Sequence, residues 1–171
     1  MKHLLFIIST FVVLHSSFAN SAAPPAPVPQ TGQTLCYNSA GSVISCAGTG
    51  QDGEFQNGVA WPNPRFSEPS NGTVIDNLTG LMWTKNANLP LATKNWKAAG
   101  DYVAAMNAGQ RANFGYTDWR LPSIRELQGL VDLSRSNPAL PAGHPFTSVQ
   151  NYYWSATAGV VSGADYAWTV L

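Results

Sequence analysis

The chain has 171 residues, with nine basic and nine acidic side chains and a formal net charge of zero. A hydrophobic share of 44% with 11% aromatic residues excludes a disordered chain. Scattered rather than clustered basic residues exclude the electrostatic footprint of a nucleic-acid or anionic-membrane binder.

Lys2 and His3 form a short basic start, Leu4 to Leu14 an apolar run, and Ala19, Ser21, Ala22 and Ala23 offer small residues for cleavage. This is the pattern of a secretory signal peptide over residues 1–23, and the apolar run is too short to span a membrane. No cysteine sits at the cleavage boundary, so a soluble periplasmic or extracellular protein is expected. Removing the leader leaves about 148 residues, enough for one domain with a core. Four prolines between Ala22 and Pro29 predict an extended linker over residues 24–33.

Residues 34–60 contain the two cysteines, Cys36 and Cys46. Turn composition from Asn38 to Gly41 and strand composition at Val43 and Ile44 predict a small hairpin that a disulfide closes in an oxidising compartment. A metal pair is the rival reading, but two cysteines alone do not fill a zinc shell. Within residues 61–171, Val74 to Asp76 and Leu81 to Trp83 flank Asn77-Leu-Thr-Gly80, predicting a β-hairpin with Trp83 pointing into the core. Thr93 is the expected N-cap of a helix that runs to Asn107 and stops at Gly109, with Trp96, Ala99, Val103 and Met106 along one face.

Gly115 to Leu127 reads Gly-Tyr-Thr-Asp-Trp-Arg-Leu-Pro-Ser-Ile-Arg-Glu-Leu. Pro122 holds the preceding residue out of the helical region, and Ser123 and Glu126 have capping-box spacing for a helix burying Ile124, Leu127, Leu130 and Val131. Trp119 and Arg120 could form a stacking platform with a guanidinium, but beside Pro122 the structural reading is stronger. In that reading Trp119 fills the core and Arg120 ties the loop to a carboxylate. A loop-rich stretch from Ser134 to Ser148 follows, then strand-like segments at Tyr152 to Ser155 and Tyr166 to Leu171 that place Trp154 and Trp168 in the core.

Thr79-Gly-Leu-Met-Trp83, the Trp96 to Asn107 helix, the Gly115 to Leu127 segment and Tyr152-Tyr-Trp-Ser-Ala-Thr157 resemble, in this order, the Lcl C-terminal domain family, over roughly residues 65 to 171. The Arg-Leu-Pro-Ser element is also similar to that of sulfatase-modifying-factor domains, which have a C-type-lectin-like fold. The resemblance implies an α+β domain of that type: two helices packed on a curled antiparallel sheet, preceded by the disulfide hairpin. It also leads to the expectation of a glycine turn and a closing strand beyond Leu171, so that the domain reads as truncated there.

Catalytic signals are weak. His144, the only histidine outside the leader, lies between Gly143 and Pro145 with no nucleophile elbow in the chain. The sulfatase-modifying enzymes work through a core cysteine pair, and here both cysteines precede that domain. Glu68-Pro69-Ser70-Asn71 departs from a calcium-dependent sugar motif, and no glycine-rich cofactor fingerprint occurs. The expectation is therefore a protein without catalytic residues, cofactor or metal that binds a glycan or protein partner, adhesin-like by its family resemblance. A structural or assembly component of the cell envelope is the alternative. In a C-type-lectin-like fold the binding surface would lie on Asn86 to Leu91, Ser134 to Ser148 and Ala158 to Tyr166, with Asp165 and Tyr166 as contact residues.

Overall fold

Among the described residues the strands gather into three small antiparallel sheets, where one curled sheet was expected. The computed structural model describes residues 28–159 and the backbone of residues 167–170. The predicted signal peptide, Asp165, Tyr166 and Leu171 lie outside the described residues, as does the side chain of Trp168. Two-residue strands β1 (Cys36–Tyr37) and β2 (Val43–Ile44) form the first sheet, and α1 (Asp52–Phe55) follows them. The second contains β3 (Phe66–Ser67), β4 (Thr73–Asp76) and β5 (Met82–Thr84). After helices α2 (Trp96–Asn107) and α3 (Ile124–Gly129), β6 (Tyr153–Ala158) and β7 (Ala167–Val170) make the third.

The separation of the sheets has a local cause. Beyond β5, Thr147 donates to the Lys85 carbonyl at 2.9 Å and accepts from the Ala87 amide at 2.8 Å. An irregular loop thus occupies the position where a further strand would pair. Pro138, Pro141 and Pro145 in that loop carry no N–H to extend a ladder.

The β4–β5 hairpin has the predicted turn: Val74 faces Trp83, the Asp76 amide donates to the Leu81 carbonyl at 2.8 Å, and Gly80 takes φ +72°. A positive φ at the last turn position is where glycine avoids the penalty of a β-carbon. Trp83 is fully buried and meets Val74, Val103, Met106, Leu127 and Phe146 in one apolar cluster. Helix α2 is capped by Asn95, not Thr93: the Asn95 side chain accepts from the Ala98 amide at 2.8 Å. Both residue types are good caps, with asparagine ranked above threonine. Ala99, Val103 and Met106 form its buried face, while Trp96 is only half-buried.

Among the described residues one charged pair lies inside the domain. Arg65 Nε donates to Asp76 Oδ1 at 2.7 Å and Nη2 to Oδ2 at 3.1 Å, and Nη2 also reaches the Gly129 carbonyl at 2.8 Å. Asp76 further accepts from the Leu78 amide and the Thr79 hydroxyl, so its turn, the sheet and the end of α3 share one carboxylate. The guanidinium also lies 4.9 Å from the Trp61 ring centre. Bidentate geometry and these added bonds offset part of the desolvation of a buried ion pair, while Arg65 Nη1 is buried without a hydrogen-bond partner among the described atoms.

The amino-terminal segment is docked from residue 28 onward. Pro29 bridges to Val59, Leu133 donates to the Thr31 carbonyl at 2.9 Å, and Trp61 Nε1 donates to the Gln30 carbonyl at 2.9 Å. Residues 28–33 of the expected linker are therefore part of the fold.

Candidate ligand-binding cleft

The framework of the site begins at the capping box. Ser123 Oγ accepts from the Glu126 amide at 3.3 Å, and Glu126 Oε2 accepts from the Ser123 amide at 2.6 Å. Arg120 grips the same carboxylate with both terminal nitrogens, at 2.9 and 3.1 Å, so one Glu organises the helix start and the approaching loop. Buried Pro122 accepts through its carbonyl from the Ala156 amide, and the Ile124 amide donates to Thr157 Oγ1 at 3.0 Å. These bonds fix α3 against β6.

Trp119 lies just upstream and is buried, which removes it as a stacking platform. Its indole donates to the Asn113 carbonyl at 2.8 Å, and Phe114 and Tyr116 pack edge-on against it. The Asn107 side chain accepts from the Trp119 amide at 2.9 Å and donates to the Trp119 carbonyl at 2.7 Å, standing in for a strand partner. Trp154, expected in the core, is half-buried, with its indole donating to the Lys94 carbonyl at 2.8 Å.

Between the end of α3, the following loop and the entry to β6 runs a cleft of about 610 Å³. Buried Leu127, Leu130 and Leu140 line it. Its polar lining includes Arg135, Asn137, Gln150 and Asn151, with Tyr152 59% exposed beside them. Asp132 shapes the loop wall by accepting from the Ser134 amide and hydroxyl at 2.9 and 2.6 Å, while the Asp132 amide donates to Ala139. On the opposite wall the Gln150 amide donates to the Tyr153 hydroxyl at 2.6 Å. Burial pushes the Tyr153 hydroxyl pKa up to about 12 against the opposing pull of that bond, so Tyr153 stays neutral and holds the wall at ordinary pH.

The cleft unites residues 135–140 of the expected Ser134 to Ser148 loop with Gln150 and Asn151, which the sequence reading did not single out, and Tyr152, which was read as the start of a strand. Two adjacent amides before an exposed aromatic residue were the available signal. Asn86 to Leu91 does not line it. His144 lies in the expected loop, its ring stacked on Phe146 with centres 6.0 Å apart. Burial, and then the nearby Arg135 charge, lower its pKa. Among the described residues the cleft lining has no carboxylate, imidazole or thiol, and no group of three His, Cys, Asp or Glu is placed to hold a metal ion. Cys36 and Cys46 form a disulfide, a bond compatible with an exported protein. Among the described residues no helix is long and apolar enough to cross a membrane.

A mixed α/β module with small antiparallel sheets, a disulfide-closed hairpin and one aromatic-edged cleft is the class that this fold and site define. Residues 72–171 match the family model of the Lcl C-terminal domain, and the chain belongs to that family. Membership suggests a surface or secreted protein module. No curated protein and no solved structure matches the chain.

Proposed function

We propose that the protein is a non-catalytic binding module, exported to the periplasm or cell exterior, that takes a surface glycan in the cleft beside Tyr152. The observation that carries this reading is the polar lining: an exposed phenol ring next to the Asn137 and Asn151 amides and one guanidinium, above an apolar floor, with the Gln150 side-chain nitrogen already donating to the Ser148 and Val149 carbonyls. A sugar presents a C–H face and a girdle of hydroxyls. A stacking ring with side-chain amides that both donate and accept is complementary to it. The reading includes a C-type-lectin-like fold, with which the longer helices α2 and α3, the small antiparallel sheets and a cleft built on irregular connections are compatible.

A role as a structural or assembly component of the cell envelope is the second reading. Its support is the exposed Leu35, Val43 and Phe55 of the amino-terminal unit.

A glycan array with the oxidised protein, run with and without a calcium chelator, tests the proposal. The expected result is specific binding that survives chelation and weakens about tenfold in Tyr152→Ala, the loss of one stacking contact. A blank array from protein shown to be folded overturns the glycan reading and favours the envelope role.

A further inference from the structure

We infer that residues 28–33 form a strap that sets the position of the cleft's loop wall, with Gly32 and Gln33 as positioning residues, so that the ligand site is built jointly by the amino-terminal unit and the domain. This rests on the cleft being the ligand site and not on which ligand fills it. The wall, Arg135 to Leu140, hangs from Asp132 and Leu133. The Asp132 amide closes the base of the loop on the Ala139 carbonyl at 3.0 Å, and the Asp132 carboxylate holds Ser134. Leu133 is 60% exposed, so burial does not anchor it. Its backbone does. The Leu133 amide donates to the Thr31 carbonyl at 2.9 Å, and the Leu133 carbonyl accepts from Gln33 Nε2 at 2.9 Å. Both polar backbone groups of the residue at the root of the wall therefore end on the strap.

Gly32, between those two partners, decides how closely the strap lies. It takes φ +85°, and a β-carbon there would run into the Asp132 carboxylate and stand 2.7 Å from the Trp61 ring. A side chain would push the strap off the loop. The strap is also held from its other flank. The Gln30 amide donates to the Val59 carbonyl at 3.0 Å, the Val59 amide to the Val28 carbonyl at 2.8 Å, and Trp61 Nε1 to the Gln30 carbonyl at 2.9 Å. Thr31 Oγ1 donates to the carboxylate of Asp52, the first residue of α1. A segment bonded on both flanks imposes a position, where one bonded to the loop alone would move with it. A wall fixed before the ligand arrives costs less ordering on binding. The strap lies outside residues 72–171, the part that matches the family model, so the setting of the wall comes from the amino-terminal unit of this chain.

The test is residue-resolved amide exchange on the full disulfide-bonded chain and on Gly32→Ala, Gln33→Ala and a control, Gly41→Ala, whose glycine has a similar φ of +77° with open space around it. Gly32→Ala is expected to raise exchange at Asp132 and Leu133 about tenfold and Gln33→Ala about threefold, the scale of one or two lost hydrogen bonds acting on a local opening. Gly41→Ala should change neither, and the Asp76 amide of the β4–β5 turn should keep its protection in every variant. In parallel, glycan binding by the wild-type chain should weaken about threefold in Gln33→Ala. Unchanged exchange at Asp132 and Leu133 in both strap variants overturns the strap. Loosening that reaches the Asp76 amide to the same degree also overturns it, because residues 28–33 would then be a general staple. Faster exchange with undiminished glycan binding overturns the assignment of the wall to the ligand site. Exchange needs no ligand, so a blank glycan array overturns the occupant proposed above and leaves the strap to be decided by exchange.

Discussion

The amino-terminal unit, residues 28–60, and the domain that follows solve the same stability problem with different materials. Among the described residues, seven of the ten large apolar side chains that are exposed lie in the first unit: Val28, Leu35, Tyr37, Val43, Ile44, Phe55 and Val59. A unit that exposes these groups has too little core to hold itself. It relies instead on the Cys36–Cys46 disulfide and on side chains that satisfy backbone groups. Asn38 Oδ1 accepts from the Ala40 and Ser42 amides, and Glu54 accepts from the Gly48 and Gly50 amides at 2.7 and 2.8 Å. At Gly53, α1 approaches so closely that any β-carbon would run into the Leu35 carbonyl. The domain instead packs Trp83, Met106, Trp119 and Tyr153 around a common interior and places an ion pair beneath it. Covalent and polar stitching substitutes for burial where the chain segment is short.

The strongest test of this contrast is Asp76→Ala. It removes the partner of a nearly inaccessible guanidinium and the acceptor of the Thr79 turn. A loss of about 3–5 kcal/mol is expected, read as a lower urea midpoint for the whole domain. Asp76→Ala unfolding less than about 1 kcal/mol more easily would show that the domain does not depend on its buried pair.

A second comparison uses one device that occurs in both regions. Gln51 brackets Tyr37 as Asn107 brackets Trp119: the Tyr37 amide donates to Gln51 Oε1 at 2.9 Å, and Gln51 Nε2 donates to the Tyr37 carbonyl at 2.8 Å. Tyr37 is exposed, so water can replace the amide in Gln51→Leu, whereas Trp119 is 2% exposed. Asn107→Leu is expected to cost about 1–3 kcal/mol, the penalty of leaving buried backbone groups unpaired, and Gln51→Leu under about 1 kcal/mol. Equal costs in chemical denaturation would mean that the two regions are not differently solvated.

Local patterns were legible in the sequence and pairings across the chain were not. Ser123 and Glu126 are three residues apart on one helix turn, and Val74 meets Trp83 through a turn that carries its own glycine. Such features are fixed by neighbours. The helix cap lies at Asn95 and not Thr93 because two competent caps stand two residues apart and the sequence pattern does not rank one position over the other. Neither the Asn107–Trp119 bracket nor the Arg65–Asp76 pair has a spacing rule, since each depends on how separate elements dock. The cleft was half visible: its loop wall showed in the prolines, but Gln150 to Tyr152 becomes a wall only when β6 is fixed against α3 by Pro122 and Thr157. One curled sheet was expected from the order of the elements and the family resemblance, and neither states that Thr147 will take the place beside Lys85.

The smallest expected effect, and the one that separates the regions by pH, involves His144 and Glu54. In the domain, burial and then Arg135 lower the His144 pKa below its ordinary 6.5, and its Nδ1 is buried without a hydrogen-bond partner among the described atoms. The unfolded chain then takes up the proton first. Stability from this group is complete above about 6.5 and is lost as pH falls from there through the folded value. In the amino-terminal unit, bonds from the Gly48 and then Gly50 amides lower the Glu54 pKa below 4.5. Its contribution is present above that value and is lost only as pH falls further, through the folded pKa. Hydrogen exchange along an acid series should therefore show the loop around His144 loosening at a higher pH than the turn around Gly48, and His144→Gln should remove the first step while leaving the second in place. Simultaneous loosening in the wild-type chain would mean that the two units share one acid-sensitive transition and that the division between them is only architectural.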